Sequence, residues 1–129
     1  MSKKPRKIGV LDEVVVTVLN LSLEPNTPIY ISDTNIEHMK DEHPEDFEKY
    51  GDKISDILSE PDYIAEHPNN GSIQYIKVFI DEETQERVLV AVRSSKRGIL
   101  FARSLFVMSD AKIKSYEKRG AFKEYKKEE

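Results

Sequence analysis

Apolar and polar positions alternate most clearly between residues 73 and 108, where three stretches read as strands. Ile73 to Ile80 places Ile76, Val78 and Ile80 on one side and Tyr75, Lys77 and Phe79 on the other. Arg87 to Arg93 sets Val88, Val90 and Val92 against Leu89, Ala91 and the two arginines, and Ile99 to Met108 completes the set. The polar run Asp81 to Thr84 and the basic run Ser94 to Gly98 supply hairpin connections, which predicts an antiparallel meander. One face of it should pack on helices. The other, with Tyr75, Lys77, Phe79 and Arg93, is expected to stay partly open as a groove where cations alternate with aromatics.

Upstream, the period lengthens. Ile29 to Ile31 reads as a short strand, and Thr34 with Glu37 fits a capping box that opens a helix carrying His38, Met39 and His43. Pro44 suits the first turn of a second helix anchored by Phe47 and Tyr50, and Gly51 breaks it. Asp52 to Ser59 predicts a third helix with Ile54, Ile57 and Leu58 inward, and Asp62 to Ile64 a short extended piece. Ile8 to Leu23 fits both periods: its valines favour a strand, yet Leu11, Val14, Val15, Val18 and Leu19 make a helical stripe. A helix or a mixed segment is expected there, after a frayed basic leader. From Asp110 a last helix is predicted along Ile113, Tyr116 and Gly120, with Phe122 and Tyr125 continuing its stripe. The expected fold is therefore α+β: N-terminal helices on an antiparallel sheet of about four strands, then a C-terminal helix. Residues 1–28 form a leader and extension, and residues 29–129 the main domain.

Composition adds exclusions. A chain of 129 residues makes one small domain, and the absence of cysteine removes disulfides, thiolate metal sites and thiol nucleophiles. No apolar run is long enough for a membrane span or a signal segment, so a cytoplasmic protein is expected. The net charge of -4 conceals two unlike halves. Residues 33–66 hold 12 acidic and 3 basic side chains, a net of -9; residues 87–129 hold 12 basic and 5 acidic, a net of +7. Such a C-terminal half can hold an anionic ligand, or the halves can attract each other or a second subunit.

The chemistry suggested by these positions is metal-free action on a phosphodiester. Imidazole transfers protons near neutrality, and lysine or arginine stabilises the charge that develops at phosphorus. Each candidate also has a plainer role. His43 can serve the helix junction before Pro44, and His38 can be a solvated helix residue. Lys77 can guard a sheet edge, Arg93 and Arg103 can pair with carboxylates, and Lys96 and Arg97 can keep a hairpin soluble. His67, in a proline–asparagine turn, reads as a loop residue, and no metal or glycine-rich nucleotide motif is present.

The segment HMKDEHPEDFEKYGDKISDILSEPDYI, the strand IQYIKVFI and the run RVLVAVRSSKRGILFARSLFVMSDAKI together resemble the phage-borne branch of the barnase–EndoU–colicin E5/D–RelE-like nuclease superfamily, across Ile29 to Gly120. The resemblance implies helices before a four-stranded antiparallel sheet, and a metal-independent, cofactor-free, toxin-like ribonuclease that leaves a cyclic phosphate. It implies catalytic roles for His38, His43, Lys77, Arg93 and Ser104; beside it, the residue pattern offers Tyr75, Arg103, Lys96 and Arg97 as candidates for binding substrate. Implied partners are RNA, transfer RNA among the candidates, and an inhibitor protein or other domains of a phage protein. Strict alternation sets Ser104 opposite Arg103, so a bulge is required to bring both to one groove. Relatives are expected to place a tyrosine where this chain has Phe106, and the alternative function is a catalytically weak nucleic-acid- or protein-binding domain on the same scaffold.

Overall fold

The computed structural model describes residues 4–126; the start of the basic leader and the last three residues lie outside the described part. Seven strands form one sheet in the order β1-β2-β6-β5-β4-β3-β7, rather than the expected four or so. They are β1 (Arg6–Leu11), β2 (Thr27–Ile31), β3 (Tyr63–Glu66), β4 (Ile73–Ile80), β5 (Gln85–Ser94), β6 (Leu100–Val107) and β7 (Lys123–Glu124). Neighbours run antiparallel except β2 and β6, whose short pairing at Ile29–Leu100 and Tyr30–Phe101 is parallel. The meander β4-β5-β6 forms the centre, as the alternation implied.

The ambiguous N-terminal stretch is mixed. Arg6–Leu11 pairs with β2 at the edge of the sheet, and α1 (Glu13–Leu19) follows immediately. Asp12 switches the period by accepting from the Val15 amide at 3.0 Å. Its second carboxylate oxygen accepts from the Tyr125 hydroxyl, tying α1 to the C-terminal segment. Leu11 and Val15 are fully buried, so residues expected to form an extension supply an edge strand and core side chains.

The cap of α2 (Asp33–Glu42) lies two residues before the expected one. Ser32 and Asn35 exchange the reciprocal bonds at 3.1 and 2.9 Å, because Ser32 keeps an extended backbone while Thr34 already lies in the helix. His43 ends α2 and precedes α3 (Pro44–Tyr50); a 3-10 turn over Gly51–Lys53 leads into α4 (Ile54–Ser59). The predicted inward residues Ile54, Ile57 and Leu58 are buried.

The main core lies between the first four helices and one face of the sheet. Val15, Met39, Tyr50 and Ile57 meet Val88, Val90, Val92 and Leu105 there. Tyr75 belongs to the same core and is fully buried, which corrects its expected place in an open groove. The reason is register: Ile80 pairs with Gln85, so Tyr75 stands opposite Val90 and Lys77 opposite Val88. Directly paired residues share a face, and both parities of β4 are apolar enough to pack, so alternation alone left the phase open. Lys77 lies at the edge of this core face, where its ammonium donates to the Glu60 carbonyl at 2.7 Å and closes the end of α4.

Nor is the second face wholly open. The C-terminal helix α5 (Asp110–Lys118) lies on it and forms a smaller core, with Tyr116 and Ile113 against Ile76, Leu89 and Met108. It ends before the expected continuation: Gly120 takes a φ of 65°, and the chain turns into β7 beside β3.

Two predictions follow from the core face. The buried Tyr75 hydroxyl has no hydrogen-bond partner, so Tyr75→Phe should stabilise the fold by about 1 kcal/mol, read as a higher urea midpoint. At the rim, Glu86 accepts from Lys49 at 2.5 Å and from the Tyr50 hydroxyl at 2.6 Å. The bond from Lys49, then that from Tyr50, holds its carboxyl below the ordinary glutamate value. Glu86 therefore contributes stability above that ordinary value, and the contribution disappears as pH falls through the lowered one. Glu86→Gln should flatten that acid-side loss in a series of unfolding midpoints against pH.

Candidate active site

Above α5 the second face of the sheet is uncovered and forms the floor of a cavity of about 350 Å³. Gln74, Ala91, Arg93 and Ser104 line it from β4, β5 and β6. A break in register puts Ser104 there. Ala91 pairs with Ser104 but Val92 pairs with Ala102, so Arg103 is an extra residue in β6. This bulge turns Arg103 and Ser104 toward one cavity, and it keeps Ala102 and Leu105 buried on the core face.

One wall is a stripe of α2. Asn35, His38 and Glu42 recur at helical spacing and line the cavity, while Met39 points into the main core. His38 is exposed, and its Nδ1 lies 3.7 Å from a Glu42 carboxylate oxygen. The opposite wall is the loop between β3 and β4. There His67 Nδ1 accepts from the Asn69 amide at 3.1 Å, and Asn70 accepts from the Ser72 amide and hydroxyl at 2.9 and 2.6 Å. Because His67 Nδ1 is an acceptor, the ring hydrogen belongs on Nε2. The lower wall is α5, which brings Lys112 and Tyr116. The Tyr116 hydroxyl donates to Gln74 Oε1 at 2.8 Å inside the protein, so the Gln74 NH₂ is the end left for the cavity.

Three cations therefore border this space: Arg93, Arg103 and Lys112. Lys112 Nζ lies 4.7 Å from the centre of the Phe106 ring, which also borders the cavity. The Arg103 Nε atom is buried and has no hydrogen-bond partner. A guanidinium donor kept from water without an acceptor is unfavourable, and an anion entering the cavity would relieve it.

Of the residues singled out from the sequence, His38, Arg93, Arg103 and Ser104 share this cavity. Others lie elsewhere. His43 does not line it: its ring packs on Phe106 with centroids 5.3 Å apart, and its Nδ1 is 4.0 Å from Asp46, beyond hydrogen-bond length. Asp46 instead accepts from the Val107 amide at 2.9 Å, joining the helix junction to the free edge of β6. Tyr75 and Lys77 lie on the other face. Lys96 and Arg97 are exposed in the β5-β6 turn, beyond Arg93.

Sequence reasoning missed Asn35, Gln74, Lys112 and Tyr116 as cavity residues and assigned His67 to a plain loop. Asn35, His38 and Glu42 did carry a signal, as polar positions on one helical stripe. For His67 there was none, because only the pairing of β3 with β4 brings its loop to the cavity. Among the described residues, no group of three or more His, Asp or Glu side chains is arranged to hold a metal ion. No described helix is long and apolar enough to cross a membrane.

A protein-family model described as phage-Barnase-EndoU-ColicinE5/D-RelE like nuclease3 matches residues 6–115. The chain belongs to this family. It is a nuclease-like domain of phage type, and the matched span runs from β1 into α5, so it includes every cavity residue named above except Tyr116. No curated protein and no solved structure matches the chain.

Arg103→Met should raise the unfolding midpoint in phosphate-free buffer, by about 1 kcal/mol of stability, because it removes the unpaired Nε. Inorganic phosphate should raise the midpoint of the parent protein and leave that of the variant nearly unchanged. A phosphate-dependent rise of equal size in both would count against anion binding at Arg103.

Proposed function

We propose that the protein is a metal-independent endoribonuclease whose active site is the cavity between α2, α5 and the second sheet face. The observation that carries the proposal is the convergence of His38, Arg93 and Arg103 on one space, with a buried Arg103 donor awaiting an acceptor. Family membership supports nuclease chemistry in general. The cavity groups suit RNA, whose own 2′-hydroxyl is an adjacent nucleophile that an imidazole base can activate.

In this mechanism Arg93 and Arg103 clamp the phosphoryl oxygens, with bidentate contact where the fork allows it. The His38 imidazole takes the 2′-hydroxyl proton as that oxygen attacks phosphorus, and Glu42 stabilises the imidazolium formed. The bond to the 5′-oxygen breaks, and we assign to the Lys112 ammonium the proton that this oxygen takes up. The products are a 2′,3′-cyclic phosphate and a free 5′-hydroxyl. With its hydrogen on Nε2, His67 acts as a donor to the phosphoryl group, alongside Ser104 and the Gln74 amide. His43, behind Phe106, and Lys77, on the far face, have positioning roles at most in this scheme.

A second reading is RNA or protein binding without turnover, on the same scaffold. Phe106 favours it, since a ring without a hydroxyl occupies the cavity wall between His43 and Lys112. Transfer RNA as the target, a toxin-like role, and an inhibitor protein or neighbouring phage domain as partner fit either reading.

Cleavage of a structured RNA in EDTA separates these outcomes. His38→Ala should slow it by roughly 10²–10⁴-fold, whereas His43→Ala and Lys77→Ala should remain near the parental rate. Parental cleavage by His38→Ala would refute the assigned proton transfer. Salt-sensitive RNA association with no product from the parent protein would support the binding reading.

A further inference from the structure

A row of side chains crosses the second face of the sheet just above the cavity. Lys7 pairs with Tyr30, Tyr30 with Phe101, and Phe101 with Arg93, so one register line runs cation, aromatic, aromatic, cation over β1, β2, β6 and β5. Directly paired residues project from the same face. At strand spacings of about 4.8 Å the row spans roughly 14 Å. Tyr30 and Phe101 have ring centroids 6.4 Å apart, tilted by 50°. They border a second cavity of about 490 Å³, lined also by Pro28, Ile99 and Lys4. Ile99 is 40% exposed there, at the end of the turn that carries Lys96 and Arg97.

We infer that this row is a base-stacking subsite for an unpaired stretch of the RNA whose phosphate lies at Arg93 and Arg103. The inference rests on the nuclease reading of the neighbouring cavity and extends it to the form of the substrate. Three observations favour nucleotides over an apolar protein segment as the occupant. Arg93 lines the first cavity and ends the row, so the two surfaces are continuous. Cations stand at both ends of the aromatic pair, and Lys96 and Arg97 are exposed in the turn that leads to Ile99, which suits a phosphate chain. The rings are partly exposed on a sheet face, and every base has a π-face to stack on them. Phosphates at Arg93 and toward Lys7, with bases between on Phe101 and Tyr30, would hold the scissile phosphate in the first cavity. A duplex keeps its bases stacked inside, so the subsite selects single-stranded loops or ends.

The test measures binding of two end-labelled oligonucleotides by fluorescence anisotropy. One is a single-stranded RNA with methylated 2′-hydroxyls, which cannot be cleaved by this chemistry. The other is an abasic strand of the same length and charge. The parent should bind the base-bearing strand more tightly. Tyr30→Leu and Phe101→Leu keep an apolar cover and remove the rings; each should weaken that binding roughly 10-fold and leave abasic binding unchanged. Phe101→Tyr, which keeps a ring, should bind as the parent does, and thermal unfolding of each variant checks the fold. If both leucine variants bind like the parent while Arg93→Ala and Arg103→Met bind weakly, the stacking subsite is refuted and the catalytic cavity stands. If the leucine variants weaken binding and the arginine variants do not, the cavity assignment fails and the subsite survives. Absence of binding to either strand by the parent overturns both.

Discussion

Because side chains alternate along a strand, one extra residue in β6 moves everything beyond it to the opposite face. Leu100 and Ala102 are buried in the main core, Arg103 is the extra residue, and Leu105 returns to the same core three positions after Ala102. Without the bulge, Leu105 would face the cavity, and Ser104 would be pressed into a packed interior. The bulge thus satisfies two demands at once: an unbroken apolar face against the helices, and two adjacent polar side chains on the other face. The candidate site depends on this irregularity, since Ser104 reaches the face of Arg103 only through that change of phase.

The second constraint is the division of the second face. Near α5, Tyr116, Ile113 and Met108 cover Ile76 and Leu89 in a small core. Farther along the same strands, Gln74, Ala91 and Arg93 are left as a cavity floor. Tyr116 joins the two zones, buried at one end and bonded through its hydroxyl to Gln74 at the other. Beyond the floor, the face continues into the row that ends at Lys7. One sheet surface therefore passes from apolar to polar to aromatic, and its cations are concentrated where an anion can approach.

The central strands were legible because their periods are strong, and helices α3 and α4 because Pro44, Gly51 and the Ile54–Ile57–Leu58 stripe mark them. The short edge strands were not: β7 has two residues, and its pairing with β3 is decided by long-range contact. The parallel pairing of β2 with β6 rests on two residue pairs and leaves no local trace. The phase between β4 and β5 was misjudged because Ile73, Tyr75 and Ile76 are all apolar, which placed Tyr75 and Lys77 on the wrong face. For the site, His38, Arg93, Arg103 and Ser104 are the four of nine residues named from the sequence that border the cavity, whereas His67 and Lys112 come from distant segments whose approach depends on the assembled sheet.

The sequence by itself determined the α+β class, the central antiparallel meander, the charge asymmetry and the family, since these follow from local periodicity, composition and residue order. From sequence a bulge in β6 was only a requirement for Arg103 and Ser104 to share a groove; pairing with β5 shows it and identifies Arg103 as the inserted residue. Tertiary structure alone decided which face of each strand meets water, which histidines border the cavity and which lysine bonds to a helix end. Those outcomes depend on register and on packing between segments far apart in the chain, and a one-residue shift reverses them at little local cost.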